Sequence, residues 1–132
     1  MPKFIELALA GQAATIFGDG LQTRDFVHVS DVANAVLMMA TQPWDGERHH
    51  VYNVCTETEC SLLDLMREIH RVLEDVAPHI ARHAPNHGPE RAGDIARSIG
   101  SNANLCRDTE WAPAVDFAMG LRQQILTTHQ RE

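Results

Sequence analysis

Phe17-Gly18-Asp19-Gly20-Leu21-Gln22-Thr23-Arg24-Asp25-Phe26-Val27-His28-Val29-Ser30-Asp31 is the stretch on which the fold reading turns. Two glycines bracket Asp19, and glycine accepts positive φ without a steric penalty, so a sharp bend is expected there. Asp25 to Val29 alternates in part and carries the β-favouring Phe26, Val27 and Val29, which predicts a strand. Ser30-Asp31 then stands before an apolar run as a helix N-cap signal. Arg24 falls where the bend enters the strand. A fixed guanidinium at the mouth of a sheet suits a phosphate better than a core.

Upstream of this stretch, Pro2 to Ala10 reads as a helix with an apolar face of Phe4, Ile5, Leu7, Ala8 and Leu9, opened by Pro2 and stopped at Gly11. Ala14 to Phe17 reads as a short strand. Downstream, a helix is expected from Asp31 to about Gln42. Its interior, Val32 to Ala40, is apolar nearly all round, as in a helix covered on more than one face. Pro43 to Glu47 reads as a loop with a turn at Asp45-Gly46, and His50 to Cys55 as a strand. Ser61 opens the clearest helix. Ser61 and Asp64 form an acidic capping box, and Leu62, Leu65, Met66, Ile69, Val72, Leu73 and Val76 follow at three- and four-residue steps until Pro78. A short strand at His79 to Arg82, a loop from Ala84 to Gly93, a short helix from Asn102 to Asp108, and a last helix capped by Asp116 complete the chain. Alternating helices and strands predict an α/β or α+β layer fold, a small sheet with several packed helices.

The chain has 132 residues and a formal charge of −7, with eleven Lys and Arg against eighteen Asp and Glu. That length bounds a single domain able to bury a core. The acidic balance argues against a nucleic-acid or anionic-membrane surface. No apolar run is long enough to span a bilayer, and no basic segment precedes an apolar one at the start, so a cytoplasmic location is expected. Cys55, Cys60 and Cys106 make an odd number, which fits free thiols in a reducing compartment better than a disulfide framework. His79, His83 and His87 lie four apart, but Pro78 and Pro85 argue against the regular helix that would stack them around a metal.

The order of several segments is distinctive. Pro2-Lys3-Phe4-Ile5, Ile16-Phe17-Gly18-Asp19-Gly20, Thr23-Arg24-Asp25-Phe26-Val27-His28-Val29-Ser30-Asp31, Val51-Tyr52-Asn53-Val54, Ser61-Leu62-Leu63-Asp64, Arg91-Ala92-Gly93-Asp94 and Trp111-Ala112-Pro113 together resemble the C-terminal part of NAD-dependent nucleotide-sugar epimerases and dehydratases. These are extended short-chain dehydrogenase/reductase enzymes of the UDP-glucose 4-epimerase type. The resemblance implies that residues 1–132 form one substrate-binding domain, incomplete relative to the family and lacking its Rossmann half. It implies substrate-binding roles for five residues. Arg24 and Arg91 match arginines on the diphosphate, Asp94 matches an acid near the ribose, Phe17 lies against the base, and Asn53 lies near the nucleotide. Two departures stand out. Cys55-Thr56-Glu57 replaces a Gly-x-Gly, adding a negative charge where an anionic ligand is expected, and Gly100-Ser101 replaces an Ala-Asp.

The same comparison of residues bears on catalysis. The sequence holds no Gly-x-Gly-x-x-Gly fingerprint, and its one tyrosine, Tyr52, is followed four residues later by Thr56 rather than lysine. No catalytic residue, cofactor-binding residue or metal ligand is therefore expected on this chain, although NAD serves the full-length family. Two functions compete. One is a nucleotide-sugar-binding part that is not competent alone: a truncated gene product, an excised domain, or a subunit that meets a separate Rossmann partner. The other is a stand-alone oligomeric interaction module, a homodimer built on the apolar helix from Asp31. Read without the resemblance, Arg24 and Asp25 would be surface ion pairs of little energetic weight, and Arg91 and Asp94 solvated loop charges.

Overall fold

A computed structural model describes residues 1–44, 46 and 50–130. The first helix, α1 (Pro2–Leu9), starts with Pro at its first turn and is followed by Gly11 at φ +65°, as expected. Strand β1 (Thr15–Phe17) leads into the Gly18–Gly20 bend and then β2 (Thr23–Arg24). Gly20 is required twice over. Its φ is +81°, and a Cβ there would meet the Leu63 side chain at 2.9 Å. The backbone also passes on a hydrogen bond, since the Leu63 amide donates to the Gly20 carbonyl at 3.2 Å.

Two helices carry the core. In α3 (Leu62–Val76) the capping box is complete: Ser61 accepts from the Asp64 amide, and Asp64 accepts from the Ser61 amide. Its apolar stripe, Leu65, Met66, Ile69, Val72 and Leu73, is buried. The last helix, α5 (Phe117–His129), begins where Asp116 accepts from the Met119 amide at 2.8 Å. Leu121 and Ile125 pack from α5 onto α3, and Ile5, Ala8 and Leu9 close the layer from α1, with Ile16 of β1 beneath.

Among the described residues, two small sheets flank this core. β1 pairs in parallel with β4 (Asn86–Gly88), and a three-stranded sheet runs β3 (Cys60–Ser61), β2, β5 (Arg97–Ser98). Within it β2–β3 is antiparallel and β2–β5 parallel. A second, smaller cluster holds Ala35 of α2 (Val29–Thr41), Leu105 of α4 (Ala103–Thr109) and Trp111, with Met38, Met39, Tyr52 and Val54 against it. The mixed α/β class read from the sequence is the class observed.

Four local expectations are corrected. The strand predicted at Asp25–Val29 is absent, because β2 ends at Arg24 and the chain turns directly into α2. The cap of α2 is His28 rather than Ser30: the His28 ring accepts from the Ser30 amide at 3.3 Å, and its Nδ1 lies 2.7 Å from the Ser30 hydroxyl. The strand expected at His79–Arg82 is a turn and coil. A strand forms instead at Asn86–Gly88, inside the predicted loop, because pairing with β1 outweighs the poor β-propensity of Asn-His-Gly. Finally, 50–55 lies extended with no strand assigned. Val51 is 88% exposed, and among the described residues nothing supplies the ladder that would make a strand of it. The turn expected at Asp45-Gly46 falls partly outside the described residues.

Candidate functional site

The Gly18–Gly20 bend and the 88–96 segment are held side by side by the β1–β4 pairing. The Gly18 amide donates to the Gly88 carbonyl at 3.0 Å, and His87 Nδ1 lies 2.8 Å from the Gly18 oxygen. Between them opens a cleft of 270 Å³ whose walls include Phe17, Asp19, Gln22, Glu90, Arg91 and Asp94. An adjoining hollow of 620 Å³ towards α1 shares Phe17, Gln22, Arg91 and Asp94 with it.

One ion pair and one cation–π contact fix the two arginines. Arg24 Nη2 donates to Asp94 Oδ1 at 2.8 Å, while its Nη1 donates to the carbonyls of Thr23 (2.8 Å) and Ile95 (2.6 Å). The Arg91 guanidinium carbon stands 3.7 Å from the centre of the Phe17 ring, a cation–π contact. The Asp94 amide donates to the Arg91 carbonyl at 3.1 Å, so the two residues share one tight turn. Four of the five residues singled out from the sequence are thus brought together. Phe17, Arg91 and Asp94 line the cleft, and Arg24 reaches it through Asp94.

Asn53 is not among them. Its amide donates to the Ser101 carbonyl at 3.3 Å, in the extended 50–55 segment. The charge expected from Glu57 is also diverted from the cleft. Glu57 adopts φ +58°, the conformation a glycine would hold easily, and its carboxylate accepts from the Ser101 hydroxyl (2.7 Å) and the Asn102 amide (2.8 Å). Those bonds, led by Ser101, hold the Glu57 carboxyl below the usual glutamate range. Asp25 secures the same bend by accepting from the Thr56 and Glu57 amides, both at 2.9 Å.

Sequence reasoning missed three residues. Gln22 donates to the Phe17 carbonyl at 2.8 Å, and its Oε1 is buried with no partner, a lone acceptor beside the cleft. Glu90 lies against Gly18 and adds a carboxylate to the rim. Neither carries a signal in a single sequence. Asp31 was read as part of a cap, but it is buried and accepts from the amides of Ala114 and Val115, both at 3.1 Å. Its carbonyl accepts from the Trp111 indole at 3.0 Å. It is a structural clasp for the Trp111-Ala112-Pro113 loop, and no part of the cleft.

The Gly18–Gly20 bend is not built as a dinucleotide cradle. It joins two strands, whereas a dinucleotide cradle needs a glycine loop opening a helix whose first amides face the phosphates. Among the described residues no three His, Cys, Asp or Glu side chains converge on a metal position. The three cysteines are free, and Cys60 is pushed up to about 11 by burial, then by Asp64 and Glu68. No helix among the described residues is long and apolar enough to cross a membrane.

Residues 1–55 match the NAD dependent epimerase/dehydratase family. The dTDP-glucose 4,6-dehydratase of Neisseria gonorrhoeae is 32% identical over 131 residues, covering 95% of this chain and 37% of the relative. Two solved structures superpose with a TM-score of 0.85. One is the UDP-glucose 4-epimerase of Thermotoga maritima with UDP-glucose, at 27% identity over 98% of this chain and 38% of that one. The other is the UDP-N-acetylglucosamine 4-epimerase of Methanobrevibacter ruminantium with UDP-N-acetylmuramic acid, at 30% identity over 99% of this chain and 39% of that one. The chain therefore spans little more than a third of the length of the relatives it matches. In sequence and fold the chain is similar, over nearly its whole length, to the C-terminal part of members of the NAD dependent epimerase/dehydratase family.

Proposed function

We propose that this chain is the nucleotide-sugar-binding part of a cytoplasmic epimerase or dehydratase, a single substrate-binding domain not competent for catalysis alone. The observation that carries the reading is the clustering of Arg91, Phe17, Asp94 and Arg24 at one cleft. The solved relatives with UDP-glucose and UDP-N-acetylmuramic acid supply the ligand class.

The contacts within the cleft can be exchanged for contacts with such a ligand. Arg91 leaves the Phe17 ring to donate to pyrophosphate oxygens, and the contact it gives up is weak, about 0.5–1 kcal/mol at an exposed site. The vacated ring then offers a flat wall to the base. Arg24 turns donors from Asp94 to the second phosphate, which frees the Asp94 carboxylate to accept from the ribose hydroxyls. Asn53 contributes from the 50–55 side once that segment is covered. Hydride transfer to and from NAD is assigned to the family's Rossmann half rather than to residues 1–132.

Calorimetric titration with UDP-glucose and dTDP-glucose tests the reading. Saturable binding is expected, weakened on the order of tenfold by Arg91→Ala. No heat at ligand concentrations of about 1 mM or above would overturn it.

One observation favours a second reading, an oligomeric interaction module that kept the fold and lost the ligand. On α2, Val36 and Leu37 are 55% and 62% exposed. An apolar face of that kind is a natural homodimer surface. Light scattering at high concentration separates the two readings, and a monomer there removes the second.

A further inference from the structure

Away from the cleft, a hollow of 600 Å³ lies between α3 and the coil that follows Ile80. Leu63, Met66, Arg67 and His70 stand at the i, i+3, i+4 and i+7 positions of α3 and therefore on one face. Leu63 and Met66 give the hollow an apolar floor. Arg67 and His70 face Arg82 and His83 across it. Four nitrogen-bearing side chains thus converge in a chain whose formal charge is −7.

Two carboxylates oppose them incompletely. Asp64 pairs with Arg67 through Oδ1, while its Oδ2 accepts from the Ser61 amide and hydroxyl of the helix cap. Glu74 reaches Arg82 only at 3.9 Å. Burial first, then Arg82, with Glu74 opposing and His83 adding in the same sense as Arg82, holds the His70 imidazole below the usual histidine range.

We propose that this hollow binds an organic oxyanion with an apolar body, its anionic head on Arg82, His83, His70 and Arg67 and its body on Leu63 and Met66. The assignment does not rest on the nucleotide-sugar reading: Leu21 is the one lining residue the two sites share, and none of the charged groups invoked here belongs to the cleft. An anion placed there offsets the Arg82 and His83 part of the shift and favours the imidazolium of His70, so binding and protonation are linked. The bound state raises the His70 pKa, and affinity rises as pH falls through the histidine range.

The experiment is a titration of the full chain with phenyl phosphate, followed by NMR at the Met66 methyl and the His70 ring, with inorganic phosphate as the second arm. Saturable shifts at both residues are expected below about 10 mM, with phenyl phosphate the tighter ligand and the His70 pKa moving up. The double variant Arg82→Gln, His83→Gln removes two exposed side chains. It should melt with the parent and bind at least about tenfold more weakly. The proposal is overturned by the absence of saturation, by shifts confined to Phe17 and Arg91, or by undiminished binding in the double variant. Equal affinity for the two phosphates would overturn the apolar half of the assignment.

Discussion

The layer formed by α1, α3, α5 and β1 and the region around α2 and residues 50–55 are built from similarly apolar sequence, yet they end differently. In the first, every apolar stripe meets another. Ile5, Ile16, Leu65, Ile69, Leu73, Leu121 and Ile125 are all buried, and the layer is closed on itself. In the second, one face of α2 packs on Leu105 and Trp111 through Ala35, while Val36, Leu37 and the neighbouring Val51 stay in water. The difference teaches where the chain is self-sufficient. Helix periodicity can be satisfied internally by three helices, whereas an all-round apolar helix and a lone extended segment both demand a further layer.

The largest effect should come from testing closure itself. Leu73→Ala in the closed layer is expected to cost about 2–5 kcal/mol in a denaturant melt, because it removes buried volume that α5 cannot refill. Leu37→Ser on α2 should stay within about 0.5 kcal/mol. Comparable losses would break the comparison and show that α2 is covered in solution. Next in size is Asp31→Ala, which strips two backbone amides of a buried acceptor and loosens the side-chain clasp between α2 and the loop after Trp111. A loss of about 1–3 kcal/mol per unsatisfied group is expected, read in the same melt.

Smaller effects sharpen the contrast at the helix ends. Ser61→Ala should cost about 1 kcal/mol, since it deletes the hydroxyl half of the α3 capping box. The smallest is a dependence on acid. Glu57, Glu59, Asp64 and Asp108 all have carboxyls held below their usual ranges: Glu57 first by Ser101, Glu59 by Arg97, Asp64 by Ser61 and Asp108 by Arg107. In each case the unfolded chain binds protons at a higher pH than the folded one. The stabilisation is present above the unfolded carboxylate pKa and is lost as pH falls through the folded values. A melting temperature that is flat across that window would contradict these pairings.

How far the sequence could be read follows the same division. The capping box at Ser61, the stripe of α3, the Asp116 cap and the Gly11 stop were all legible because each is local: the residues that make the signal also make the structure. Residues 50–55 have the β-branched and aromatic bias of a strand, but a strand is a relation between two segments, and the second is not among the described residues. The reverse error occurred at Asn86–Gly88, whose residues disfavour a strand until β1 supplies the partner. At the cleft, Arg24, Arg91 and Asp94 were legible through a family resemblance. Gln22 and Glu90 were not, because their roles arise only when the 88–96 segment folds back beside the Gly18–Gly20 bend.

The central claim, that Arg91 over Phe17 and Arg24 beside Asp94 grip a nucleotide sugar, is tested most directly by mapping amide and side-chain shifts during titration with UDP-glucose. The account predicts saturable shifts centred on Phe17, Gln22, Arg24, Arg91 and Asp94, with the Arg24–Asp94 pair opening as ligand binds. Shifts that are absent, or that gather on α2 and residues 50–55 while the cleft stays silent, would contradict it.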